Sequence, residues 1–181
     1  MTDSTTYDPA TPNRERFVPL AGLLAVLLPG LGHVYLGETW RGAGVAVGVL
    51  GLFFGGILIG GIDVVDSKED RIWFFGQALV GPVAFAVDRY HQSNFKAYEV
   101  GQDRPPRTGN PGERRTPNPQ GVMVWEQSPG AMPPNTKSLG HVNEIGTLAA
   151  TLAGMLNLIA ILDALFHREK RVEIPPAQEQ D

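Results

Sequence analysis

Residues 42–62 read GAGVAVGVLGLFFGGILIGGI, twenty-one residues with no charge, no proline and no polar side chain. A hydrocarbon layer of about 30 Å takes roughly 20 helical residues to cross, so a stretch of this kind predicts a spanning helix. Within it Gly44, Gly48, Gly51 and Gly55 recur at steps of four, three and four. Those steps put all four on one helix face, where a neighbouring helix can approach to backbone contact, the small-xxx-small mode of membrane bundles. The expected neighbour is another helix of the same subunit, with a second copy of the chain as the alternative.

Three further apolar blocks flank this one. With it they give predicted helices at about 17–36, 42–62, 72–90 and 144–167. The fold class expected is therefore all-α membrane, a bundle of about four transmembrane helices. Trp73 and Tyr90 stand at the two ends of the third block, as aromatic residues do at membrane interfaces, and Pro82 should kink it. Gln77 reads as an interhelical hydrogen bond. Residues 91–143 carry eight prolines and six glycines in 53 residues and keep no period of 2 or 3.6, which predicts a long irregular loop. Its one ordered-looking piece is GVMVWEQ, residues 121–127, either a short strand or a segment dipping Met123 and Trp125 into the interface. Residues 1–16 and 168–181 read as disordered ends.

Between the first two blocks stands PGLGHVYLG, residues 29–37. Pro29 lacks a backbone donor and should bend or end the first helix near Leu28. Gly30, Gly32 and Gly37 permit tight turning, while His33 and Tyr35 fit a membrane turn at the interface. A phosphate cradle would need a preceding strand and a Lys-Ser/Thr or acidic ribose partner, and none is present. Arg14 and Arg16 before the block also allow a signal peptide, but three more apolar blocks require a membrane in any case.

The chain has no cysteine, which excludes disulfides, thiolate metal sites and cysteine nucleophiles. His33, His91, His141 and His167 fall in no ligand spacing, and no G-x-S-x-G occurs. Neither catalytic residues nor a metal or cofactor site is expected. A net charge of -4 gives no support to nucleic-acid binding. Polar groups inside apolar blocks are costly in lipid and hold the best functional odds, which singles out Asp88, Asn157 and Asp163. Arg89 and Arg168 are close enough in depth to pair with the aspartates.

Residues 21–47, AGLLAVLLPGLGHVYLGETWRGAGVAV, resemble the small two-transmembrane-helix domain, whose hallmark turn G-x-G-x-x-Y-L-G is matched by Gly30, Gly32, Tyr35, Leu36 and Gly37. The whole layout, with NEIGTLAATLAGMLNLIAILDA at 143–164, is similar to an uncharacterised bacterial family of multi-span membrane proteins. These resemblances imply membrane residence and helix-hairpin geometry, and bring no reaction with them. The expected function is that of a non-enzymatic, multi-pass protein of the bacterial cytoplasmic membrane. Its partners would be the lipid bilayer and itself or other membrane proteins, and it would serve as a structural or assembly component. An even number of spans, with basic residues near both ends, places both termini in the cytoplasm. The alternative is a small transporter, channel or proton-linked subunit using the intramembrane polar residues.

Overall fold

The computed structural model describes residues 15–101, 104–134 and 141–168. The ends expected to be disordered lie almost entirely outside the described residues. Among those that are described, the chain is mostly helical, and two helices are long and apolar enough to cross a membrane. These are α3, Thr39–Gly60, and α6, His141–Leu165. At 1.5 Å per residue they are about 33 and 37 Å long. They run antiparallel, packed at their β-sheet ends through Gly56 and Gly146, where a methyl on either would come within 2.6 Å of the other's carbonyl oxygen.

The first and third apolar blocks are each broken in two. The first forms α1, Pro19–Leu27, and α2, Leu31–Tyr35. The break falls at Leu28, as Pro29 predicts. The third forms α4, Arg71–Ala78, and α5, Pro82–Phe95, so the expected single kinked helix is corrected. Pro82 opens α5 instead of bending a continuous helix, because the first turn of a helix has backbone donors without intrahelical partners and loses nothing to proline. Gly81, at φ +104, makes the reversal that no side chain would allow.

Each broken block is a hairpin that goes in and comes back. In the second, Phe74 and Phe85 meet edge to face at 5.5 Å across the two arms. In the first, Gly32 of α2 returns against Ala21 of α1 and Ala164 of α6. α1 starts beside the C-terminal end of α6, with Val18 N donating to Leu165 O. α4 starts at the opposite end of the bundle, next to the 3-10 turn Ile62–Val64 that follows α3. The two hairpin tips meet between these ends, where Gly81 sits against the carbonyl of Val26. Each long helix is thus preceded by a helical hairpin, and the hairpins enter from opposite ends.

The region read as an irregular loop is folded. Strands β2 (Lys96–Glu99), β3 (Arg107–Thr108), β4 (Glu113–Pro117) and β5 (Met123–Gln127) form a sheet in the order β3-β2-β5-β4. The β2–β5 pairing is parallel and the other two are antiparallel. Residues 121–127 do supply a strand, but Trp125 is buried in the sheet rather than dipped into an interface, and its Nε1–H donates to Arg107 O at 2.9 Å. A further pair, β1 (Glu15–Phe17) with β6 (Phe166–Arg168), joins the two described chain ends at one end of the bundle.

The core is small-residue and aliphatic. Val49 and Phe53 of α3, Val64 and Val65 after it, Val80 and Ala84 of the second hairpin, and Ala150 and Ala153 of α6 form one cluster. Ala21, Ala25 and Ala164 form another at the terminal end. The glycine face of α3 has no part in either. A methyl at Gly44, Gly48, Gly51 or Gly55 would meet nothing within 4 Å, so packing inside the subunit does not use that face. The glycines that admit close approach are Gly42, Gly56 and Gly60 on α3 and Gly146 and Gly154 on α6.

Candidate functional site

Polar side chains gather at three places along the bundle. At the terminal end, His33 is buried and its Nε2–H donates to Asp163 Oδ2 at 2.8 Å. Arg41 forms an ion pair with the same oxygen at 2.6 Å and donates to Glu38 at 3.2 Å. The residues of the 29–37 turn build this arrangement. Gly30, in the left-handed region at φ +84, lets the chain reverse against Gly42 of α3, where any side chain would strike the backbone. α2 then aims His33 at α6. The expectation of an interfacial histidine is therefore corrected, since His33 is 1% exposed. Tyr35 is exposed, and Gly37 closes the turn with φ +83.

The second place is the junction of the two hairpin tips. Asn157, fully buried on α6, donates from Nδ2 to Leu79 O at 2.8 Å and to Ala25 O at 3.4 Å. These carbonyls belong to the last turns of α4 and α1, which have no partner within their own helices. One amide group therefore caps two helices that arrive from opposite ends. Gly154 lies one turn earlier on α6 and lets α4 touch it at Gly76.

The third place lies where the bundle meets the sheet. Asp63, in the 3-10 turn, accepts from Thr108 of β3 at 2.6 Å and lies 3.1 Å from His91 Nε2 of α5. His91 Nδ1–H donates to Val65 O at 3.1 Å. Asp66 accepts from Lys68 N, Glu69 N and Gln92, and it forms an ion pair with Lys96 of β2. Lys96 also lies 3.3 Å from Glu69. Asp63, Asp66, His91 and Lys96 are all at most 2% exposed. Burial pushes the Asp63 carboxyl up, but bonds from His91 and Thr108 and the Lys96 charge outweigh it and leave the group below its ordinary value. Asp66 is likewise held low, burial being overcome by Lys96 and two backbone amides. On the sheet, Arg107 grips Glu113 through two bonds of 2.8 Å and lowers its pKa against the opposing effect of burial.

Asp63, Asp66 and His91 bring one donor atom each within 4.8 Å of one another, so these are the residues that could hold a metal ion. The Lys96 ammonium already stands on Asp66. Spacing along the chain did not reveal this cluster. Its members are scattered between residues 63 and 91, and two of them lie in the charged stretch DVVDSKEDR, residues 63–71, between two apolar blocks.

The three polar residues singled out in the apolar blocks lie apart from one another. Asp163 is at the terminal end and Asn157 at the tip junction. Asp88 lies near the sheet, bound to Ser67 N at 2.9 Å, Ser67 Oγ at 2.7 Å and Gln92 at 3.3 Å. Its partner is not Arg89, and that of Asp163 is Arg41. Gln77 does make a structural bond, from Nε2 to Val64 O at 2.9 Å.

Fold and polar centres together define a helix-rich protein built round two helices of membrane-crossing length, with its buried charges gathered at the helix ends. The chain belongs to a family of unknown function, DUF6677, whose model matches residues 20–173. Membership of an uncharacterised family agrees with the expectation from the sequence. No curated protein and no solved structure matches the chain.

Proposed function

We propose that the chain is an integral membrane protein without catalytic activity that acts as a structural or assembly component, carrying its sheet on one face of the bilayer. All four apolar blocks lie in lipid on this reading, two crossing it as α3 and α6 and two entering as hairpins and returning. Only 22% of the most apolar window of α3 and 44% of that of α6 is buried, whereas the core helix of a soluble protein is mostly covered. Leu23, Val47, Leu58, Phe75, Leu152 and Ile159 all point outward. The paired ends at β1 and β6 lie together, which on this reading gives them one side of the bilayer, and the basic residues there favour the cytoplasmic one. The likeness of residues 21–47 to the two-helix membrane domain supports the same placement.

The observation that carries the assembly reading is the separation of Asp88, Asn157 and Asp163, each held by its own neighbours, beneath an outer surface that is apolar and open. Cysteine placed at Gly48 tests it, because the chain has no other cysteine. Oxidation in native membranes should give a disulfide-linked dimer, while a cysteine at the exposed Met155 of α6 reports chance collisions. Monomer alone from Gly48→Cys, under conditions where Met155→Cys gives the same, would overturn association through this face.

A small transporter or channel subunit is the second reading. One observation favours it: two short helices enter from opposite ends and stop at a single buried amide, the arrangement of broken helices found around midplane sites in transporters.

A further inference from the structure

Between α5 and the sheet lies a cleft of about 300 Å³. Its walls carry Lys68, Arg89, Gln92, Lys96, Tyr98 and Arg115, and none of its lining residues is acidic. Lys96 is spent on Asp66 and Glu69. Two nitrogens of Arg115 are spent on the carbonyls of Ser93 and Asn94, at 2.6 and 2.7 Å. Its Nε is buried without a partner. Lys68 and Arg89 are exposed, and neither charged end has a partner among the described residues. The adjoining carboxylates have partners of their own: Asp66 and Glu69 stand on Lys96, and Asp88 is occupied by Ser67 and Gln92.

The depth of this cleft matters as much as its charge. Arg89 follows the hairpin tip at Pro82 by seven residues, or about 10 Å of helix, which brings it level with the start of α4. Trp73 and Tyr90, both exposed, mark the same level. Directly below them the hairpin presents Phe75 and Phe85 outward. A cationic notch therefore opens above an apolar wall.

We propose that the cleft binds an anionic phospholipid, its phosphate between Lys68 and Arg89 and its acyl chains along the outer face of α4 and α5. The inference rests on the membrane placement proposed above. Cations at the headgroup level attract anionic lipid, and the apolar wall adds what a free phosphate cannot use.

The test uses the full chain in detergent, titrated with short-chain phosphatidylglycerol, short-chain phosphatidylcholine and inorganic phosphate, with bound ligand counted by native mass spectrometry. Phosphatidylglycerol should bind in preference to both others. The double variant Lys68→Gln/Arg89→Gln should weaken it about tenfold or more. Arg114→Gln removes a charge from the same sheet but not from the cleft lining, and should leave binding unchanged. Equal binding of the two lipids, an unaffected double variant, or phosphate binding as tight as phosphatidylglycerol would each overturn the proposal. Incorporation into phosphatidylcholine nanodiscs tests the placement separately: a chain that stays in the aqueous phase removes the membrane reading itself.

Discussion

A histidine–carboxylate pair stands at each end of the same bundle, and the two differ in everything around them. At the terminal end Asp163 is 41% exposed and divides one oxygen between His33 and Arg41. At the sheet end Asp63 and His91 are 2% and 0% exposed, and Thr108 closes on the same carboxylate from a third element. Exposed pairs are screened by water and contribute little, whereas a buried pair that loses one member leaves an uncompensated charge. The difference identifies the sheet-end pair as the fastening of the sheet to the bundle. The terminal pair only fixes where α2 meets α6.

The largest effect should follow from Asp63→Ala. Thr108 loses its acceptor, His91 the carboxylate 3.1 Å from its Nε2, and Lys96 part of the negative charge around it, at a cost of about 3–5 kcal/mol. Thermal unfolding of the detergent-solubilised protein measures it, and a loss below about 1 kcal/mol would cancel the distinction between the two ends. Acid should act through the same groups. Asp63 and Asp66 have folded values below the ordinary 3.8. Their contribution is therefore complete above that value and is lost as the pH falls through the lower folded values. Fluorescence of buried Trp125, in a Trp40→Phe/Trp73→Phe background, should report release of the sheet below about pH 4 and stay constant from pH 5 to 8.

How much of this could be read from the chain follows from particular residues. α3 and α6 were legible because composition over about 20 residues is enough to specify a helix of membrane-crossing length. The break at Pro29 was legible because the apolar residues before it form a helix that proline must end. Pro82 was misread, since the same residue ends a helix from inside and starts one from its first turn, and only Gly81 distinguishes the two. The sheet was missed because its strands are two to five residues long and carry charge on positions that alternation would leave apolar. The glycine face shows the limit of spacing as a guide. Gly44, Gly48, Gly51 and Gly55 keep a perfect face and touch nothing, while Gly56 and Gly60, one step round the helix, meet α6. Asp63 and Asp66 flank Val64 and Val65 in DVVD, and the burial of those two valines is the one local hint that the carboxylates go inside with them.

An intermediate effect is expected midway between the two ends. Asn157→Leu keeps the volume but removes the donor shared by Ala25 O and Leu79 O, leaving two carbonyls without a partner. The loss should be about 1–3 kcal/mol, the desolvation cost of such groups. Hydrogen exchange localises it: amides near both hairpin tips should lose protection together, whereas those of the sheet keep theirs. Protection lost at only one tip would mean that the two hairpins are not fastened through Asn157.

The smallest effect separates the two functional readings. Asp163→Asn keeps the shape of the side chain and still offers an oxygen to Arg41 and His33, so the loss of stability should be below about 1 kcal/mol. On the assembly reading the Gly48→Cys dimer then forms as before, because Asp163 supports α2 and not the open face of α3. On the transport reading Asp163 carries protons or ions past the terminal end, and removing its charge should abolish flux in reconstituted vesicles. A variant that folds, crosslinks and leaves vesicle proton permeability equal to that of the unsubstituted protein reduces the terminal pair to a positioning contact. A variant that folds but loses a measurable flux reverses the comparison, making the exposed pair the working one and the buried pair its scaffold.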